Sequence, residues 1–153
     1  MIQIKKIDIF DKSIGTIIQC SNCMNTAGRG LALEIRKRYK RAYESDCMTK
    51  KGDIKKLGLF SFALANEDQY HNIINSYSQF RYGREKRHLD YDAMFKSMTN
   101  IQDFILKMKL NDKPVAAPRM FGCVNAGGDP EKVLSIFKYV FNDCKEIDLI
   151  LCE

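Results

Sequence analysis

The run Gly15-Thr16-Ile17-Ile18-Gln19-Cys20, continued by Ser21-Asn22-Cys23-Met24-Asn25-Thr26-Ala27-Gly28-Arg29-Gly30 and then by Leu31-Ala32-Leu33-Glu34-Ile35, carries the first decision about the fold. Its opening is short, β-branched and without alternation, which predicts a strand covered on both faces. Beyond Gly30 the period changes: Leu31, Ala32, Ile35 and Tyr39 fall on one helical face, and Arg36, Lys37 and Lys40 fall elsewhere. Between the two lies a polar loop with glycines at 28 and 30. Strand, glycine-bearing loop and helix, in that order, are the building unit of α/β proteins.

Working outward, Ile2 to Ile9 alternates apolar residues with a break at Lys5-Lys6 and predicts an edge or half-buried strand over residues 2–9. Leu57 to Leu64 and Asn72 to Gln79 are strand-length segments joined by the turn-like Asn66-Glu67-Asp68-Gln69, which suits a hairpin or an adjacent pair. Tyr91, Met94, Phe95, Met98, Ile101, Ile105 and Met108 recur at three- and four-residue steps, the mark of a long amphipathic helix. Val115-Ala116-Ala117 reads as a short buried strand, Val133 to Phe141 as a last helix, and Asp148 to Cys152 as a closing strand. The order β-β-α-β-β-α-β-α-β predicts a three-layer α/β/α domain with a mixed central sheet covered on both faces.

The chain has 153 residues, and this length supports one sizeable core, so residues 1–153 are read as a single domain. A hydrophobic share of 45% and a charged share of 29% exclude a disordered class. No apolar run approaches the ~18 residues of a membrane span, and no signal-peptide core is present, so the expected location is cytoplasmic with no membrane partner. Six cysteines then read as free thiols. Cys20-x-x-Cys23 lacks a second ligand pair, so no metal is expected, nor any other cofactor. The net charge of +6 gathers at Arg36 to Arg41 and Arg81 to Arg87, clusters that attract anions without forming a nucleic-acid-binding signature; a nucleic acid partner is not expected. His71 and His88 read as exposed and non-catalytic, and nothing in the sequence fixes the oligomeric state.

A second strand-to-helix loop runs from Ala117 to Pro130 and contains Gly122, Gly127 and Gly128. Asp129 before Pro130 fits a helix N-cap with a first-turn proline. Two glycine-bearing loops at the carboxyl rim of one sheet would face each other and enclose a diphosphate, held by main-chain N–H groups.

Four segments in this order resemble the macrodomain family of ADP-ribose-binding domains over nearly the whole chain. Lys6 to Phe10 resembles the family's opening strand end. Ile18 to Leu33 is similar to the first ligand loop of the branch holding DNA and terminal ADP-ribose glycohydrolases. Gln79 to Gly83 with Asp90 to Met94 resembles a stretch of ADP-ribose 1''-phosphate phosphatases, and Pro118 to Val133 resembles the second ligand loop. The resemblance implies a macrodomain fold, ADP-ribose or ADP-ribose 1''-phosphate as the small-molecule ligand, and hydrolysis of the terminal phosphate. A non-catalytic ADP-ribose reader and an ADP-ribosyl-acceptor hydrolase are the alternatives.

The implied ligand-binding residues are Asp8, at the adenine amino group, Ile9, then Ser21, Asn22, Gly28, Arg29 and Gly30 in the first loop, and Gly122, Cys123, Val124, Asn125, Gly127 and Gly128 in the second. Asp129 and Asn22 are the implied catalytic pair. The sequence departs from the glycohydrolases where they carry a lysine, here Ser78-Gln79, and where they carry an acid, here Asn125-Ala126; both changes disfavour a lysine-adduct mechanism.

Overall fold

The computed structural model describes residues 1–153. In chain order the elements are β1 (Ile2–Lys5), β2 (Thr16–Asn22), α1 (Gly30–Arg38), α2 (Lys40–Cys47), a 3-10 turn (Ile54–Lys56), β3 (Phe60–Ala63), β4 (Asn72–Gln79), α3 (Tyr91–Met108), β5 (Val115–Pro118), α4 (Pro130–Phe141) and β6 (Leu149–Cys152). The strands form one sheet in the order β1-β6-β5-β2-β4-β3. All neighbours run parallel except β3, which pairs antiparallel with β4. The sheet is therefore mixed, and the carboxyl ends of β2, β4, β5 and β6 share one rim.

Strand periodicity sorts the core. Ile18, Ile74, Val115 and Ala117 point to the α3/α4 side, where 18 buried residues form one apolar cluster. Ile17, Ile73 and Ala116 point the other way, to Ile35 of α1 and Ala42 of α2, in a cluster of only 7. The register pairs Ile17 with Ile73 and Ile18 with Ile74, so a one-residue slip would exchange the two faces.

The long helix and the second loop form for local reasons. Asp90 caps α3 by accepting from Ala93 N at 3.0 Å, and Lys109 ends it in a left-handed conformation. Asp129 caps α4 by accepting from Glu131 N at 2.9 Å, with Pro130 at the first helical position.

Two expectations need correction. The first strand stops at Lys5, because Asp8 turns the chain: its Oδ1 accepts from Phe10 N at 2.9 Å and its carbonyl from Asp11 N at 2.9 Å. The helix beginning near residue 30 is broken at Tyr39 (φ −127°, ψ 81°), which leaves the helical track, packs its ring against Phe10 and bonds His71; α2 then starts at Lys40. No helix is long and apolar enough to cross a membrane.

Candidate functional site

A cavity of about 900 Å³ opens at the carboxyl rim, walled by loop 1 (residues 22–30), the start of α1, the segment 82–84 and loop 2 (residues 118–126). The two loops meet. Gly30 sits at φ +56°, and a Cβ there would come within 3.0 Å of Asn125 Nδ2 on the opposite loop. Arg84 donates to Asn125 Oδ1 at 2.8 Å, so Asn125 links loop 2 to the 82–84 segment and lies against the start of α1.

The cavity wall carries unused donors. Helix α1 has no side-chain cap and no acid in its first turn, and the N–H groups of Gly30, Leu31 and Ala32 have no protein acceptor. In loop 2 the N–H groups of Gly122, Val124 and Asn125 are likewise without one. Arg29, Arg36 and Arg84 line the same space, against a single carboxylate, Asp46. An uncapped helix start facing a second set of free amides, with arginines around them, is an anion site.

Of the residues marked in the sequence, Ser21, Asn22, Gly28, Arg29, Gly30, Gly122, Cys123, Val124 and Asn125 line the cavity; Asp8, Ile9, Gly127, Gly128 and Asp129 do not. Asn22 braces loop 1, accepting from Met24 N at 2.8 Å and donating to Thr26 Oγ1 at 2.8 Å, with one amide hydrogen and one lone pair left over. Asp8 is exposed and turned onto Phe10 N, while Ile9 packs against the apolar cluster of α1 and α2. The amides of Gly127 and Gly128 are consumed inside loop 2, by Cys123 O at 3.2 Å and Gly122 O at 2.9 Å. Gly128 is favoured by packing, since a Cβ there would meet the Gly122 carbonyl oxygen at 2.9 Å as well as Leu89 Cδ2 at 2.5 Å.

The Asp129 side chain is exposed and serves the N-cap, and its own N–H donates to Tyr91 Oη at 2.9 Å. It is thus held outside the cavity by the geometry that starts α4. The cysteines are poor nucleophiles: burial pushes the Cys20 thiol up, raises Cys123, and raises Cys23 to about 11.

His71 corrects a further expectation, for it is 2% exposed. Its Nε2 lies 3.0 Å from the Asp11 carbonyl, which can only accept, so the proton sits on Nε2 and Nδ1 accepts from Tyr39 Oη at 2.6 Å. Burial lowers its pKa. His88 is also covered, paired with Glu85 Oε1 at 2.6 Å.

Sequence reasoning missed a polar layer beneath the cavity. Gln19 and Asn75 are paired across β2 and β4, and Asp46 of α2 lines the same cavity. Tyr77 donates to Asp46 Oδ1 at 2.6 Å, and Lys56 Nζ donates to Asn25 Oδ1 at 2.7 Å and to the Cys23 carbonyl at 3.2 Å. Lys56 therefore holds loop 1 from below, where Asn25 takes a left-handed φ of +57°. Burial raises the Asp46 pKa and lowers that of Lys56, and each charge partly offsets the other's shift. The available signal was a polar residue interrupting each of two registered isoleucine runs.

No protein-family model matches the sequence, and no curated protein does. Solved structures share its fold. The macrodomain of Thermus aquaticus DarG aligns at a TM-score of 0.79 and 12% identity, over 100% of this chain and 98% of that one. The macrodomain of Mycobacterium tuberculosis DarG aligns at 0.77 and 21% identity, over 99% and 97%. Thermosipho africanus DarTG, solved in complex with ADP-ribose, aligns at 0.76 and 14% identity, over 99% of this chain and 41% of that one. The architecture described above is the macrodomain fold.

Proposed function

We propose that the cavity binds ADP-ribose and that the chain hydrolyses the terminal phosphate of ADP-ribose 1''-phosphate. The observation that carries the reading is the pair of unsatisfied N–H sets, on α1 and on loop 2, facing one arginine-rimmed cavity. A pyrophosphate supplies the acceptors that these donors lack. The shared fold, with ADP-ribose present in one such structure, supports the same ligand.

For the hydrolytic step, water attacks the phosphorus, the bond from phosphorus to the 1'' oxygen breaks, and a proton from the water ends on that oxygen, giving ADP-ribose and inorganic phosphate. Loop amides and Arg84 take up charge on the phosphoryl oxygens; such transition states need positioning and electrostatic help more than a strong base. Asn22 holds the distal ribose with its spare amide hydrogen. Asp129 acts as a positioning residue that anchors the end of loop 2 through its cap. A second reading, a non-catalytic reader, is favoured by one observation: the only carboxylate lining the cavity, Asp46, is engaged by Tyr77.

Phosphate release from ADP-ribose 1''-phosphate separates the two readings. The phosphatase reading expects release well above buffer from the wild type, a slower reaction in Asp129→Ala, and recovery in Asp129→Asn, which keeps a capping side chain. Release no faster than buffer leaves the reader. An Asn variant as slow as the Ala variant would make the Asp129 carboxylate itself catalytic.

A further inference from the structure

Beneath the mouth, the same cavity continues under α1 to Gln19, Asn75 and Asp46, a depth that the diphosphate reading leaves unused. The hydrogen bonds there fix one another's direction. Asn75 Nδ2 lies 3.1 Å from the Ala42 carbonyl, which can only accept, so the Asn75 amide nitrogen is on that side and its Oδ1 turns to Gln19. Gln19 must then present Nε2, which donates to Asn75 Oδ1 at 2.7 Å.

The bonds continue in one sense. Asn75 Nδ2 donates to Ser61 Oγ at 3.0 Å, Ser61 Oγ lies 2.8 Å from Tyr77 Oη, and Tyr77 Oη donates to Asp46 Oδ1 at 2.6 Å. The chain ends on a carboxylate, and its head is one donor short: Gln19 is 5% exposed, and its Oε1 is buried with no partner. Such an atom costs free energy until something donates to it, and a donor at the head would strengthen the bonds down the chain. At the other end, Asp46 Oδ2 takes no hydrogen bond from the protein.

We infer that this deep end is a subsite for a neutral amide-type N–H group carried on the distal ribose, received by Gln19 Oε1. The inference rests on the ADP-ribose reading. The distal end is the relevant one because Gln19 lies on the strand that ends in Asn22, and Asn75 is its registered partner on β4. Asn22, the ribose contact, is three residues further along the same β2 strand. A neutral donor fits better than a cation, because Lys56 already supplies a positive charge beside Asp46.

Calorimetry with three probes tests this: ADP-ribose, NAD, which carries a carboxamide on the distal side, and 3-acetylpyridine adenine dinucleotide, which replaces the carboxamide NH2 by a methyl at the same charge. The expected result is NAD binding about tenfold tighter than the acetylpyridine analogue, the scale of satisfying a buried polar atom. In Gln19→Met that preference should vanish while ADP-ribose affinity stays within about twofold of wild type.

Equal affinity of the two dinucleotides for the wild type overturns the subsite, whether or not the variant folds. A preference that persists in Gln19→Met, or ADP-ribose affinity lost in it, also overturns the assignment. If ADP-ribose binds and the dinucleotides show no preference, only the subsite fails; if ADP-ribose itself does not bind, the reading beneath it fails as well.

Discussion

The two faces of the sheet are built to different ends. The face under α3 and α4 buries 18 residues in an apolar cluster that includes Phe121, Phe137 and Phe141, with Phe121 and Phe137 in edge contact at 5.6 Å. The face under α1 and α2 has 7 such residues, and then gives way to Gln19, Asn75, Tyr77, Asp46 and Lys56 as it nears the rim. One side supplies stability, and the other accepts buried polar groups in order to shape and hold loop 1. Polar burial is costly unless satisfied, so such a layer stands out as a place shaped by something besides stability.

The sharpest way to break this comparison is a core truncation on the first face. Phe141→Ala, at a fully buried site, should lower unfolding free energy by about 3–5 kcal/mol in denaturant titration, with ligand affinity of the folded fraction retained. Lys56→Met comes next. It removes the clamp on Cys23 and Asn25 and leaves the Asp46 charge uncompensated, and should cost about 1–3 kcal/mol of stability. Unlike Phe141→Ala, it should also weaken ADP-ribose binding by loosening loop 1; an unaltered affinity would show that loop 1 holds its shape without the clamp.

Gly30→Ala touches the mouth alone. A left-handed φ and a Cβ 3.0 Å from Asn125 Nδ2 should reduce ADP-ribose affinity with a stability loss of about 1 kcal/mol. The smallest effect is a pH response on the polar face. Because burial lowers the His71 pKa, the unfolded chain takes up a proton below about pH 6.5 that the folded chain resists, so the unfolded state binds more protons there. The associated stability is complete above that pH and is lost as pH falls through it toward the folded pKa. Urea midpoints at pH 7.5 and 5.5 should differ accordingly, and His71→Gln should flatten the difference; an equal slope in the variant would assign it to other groups.

The apolar stretches of both faces were the legible ones. The step pattern of Tyr91 to Met108 and the β-branched run around Ile17 translate directly into α3 and β2, because apolar period and burial coincide there. The break at Tyr39 and the whole of α2 were not legible: Lys40–Cys47 buries only Ala42 and Asp46, so its inward face has no apolar stripe. His71 looked like a surface residue because the groups that satisfy it, Tyr39 and Asp11, are remote in sequence. In the site, glycine and loop position located the mouth, while Gly127, Gly128 and Asp129 were drawn in by chemistry that serves the loop and the helix cap. Lys56 and Asp46 lie apart along the chain and come near enough to feel each other's charge only through the fold.

The most direct test is a crystal structure of the wild-type chain soaked with ADP-ribose. The pyrophosphate should lie between the amides of residues 28–32 and those of 122–125, with Arg84 beside it. An empty cavity at saturating ligand, or a nucleotide bound elsewhere on the surface, would contradict the account.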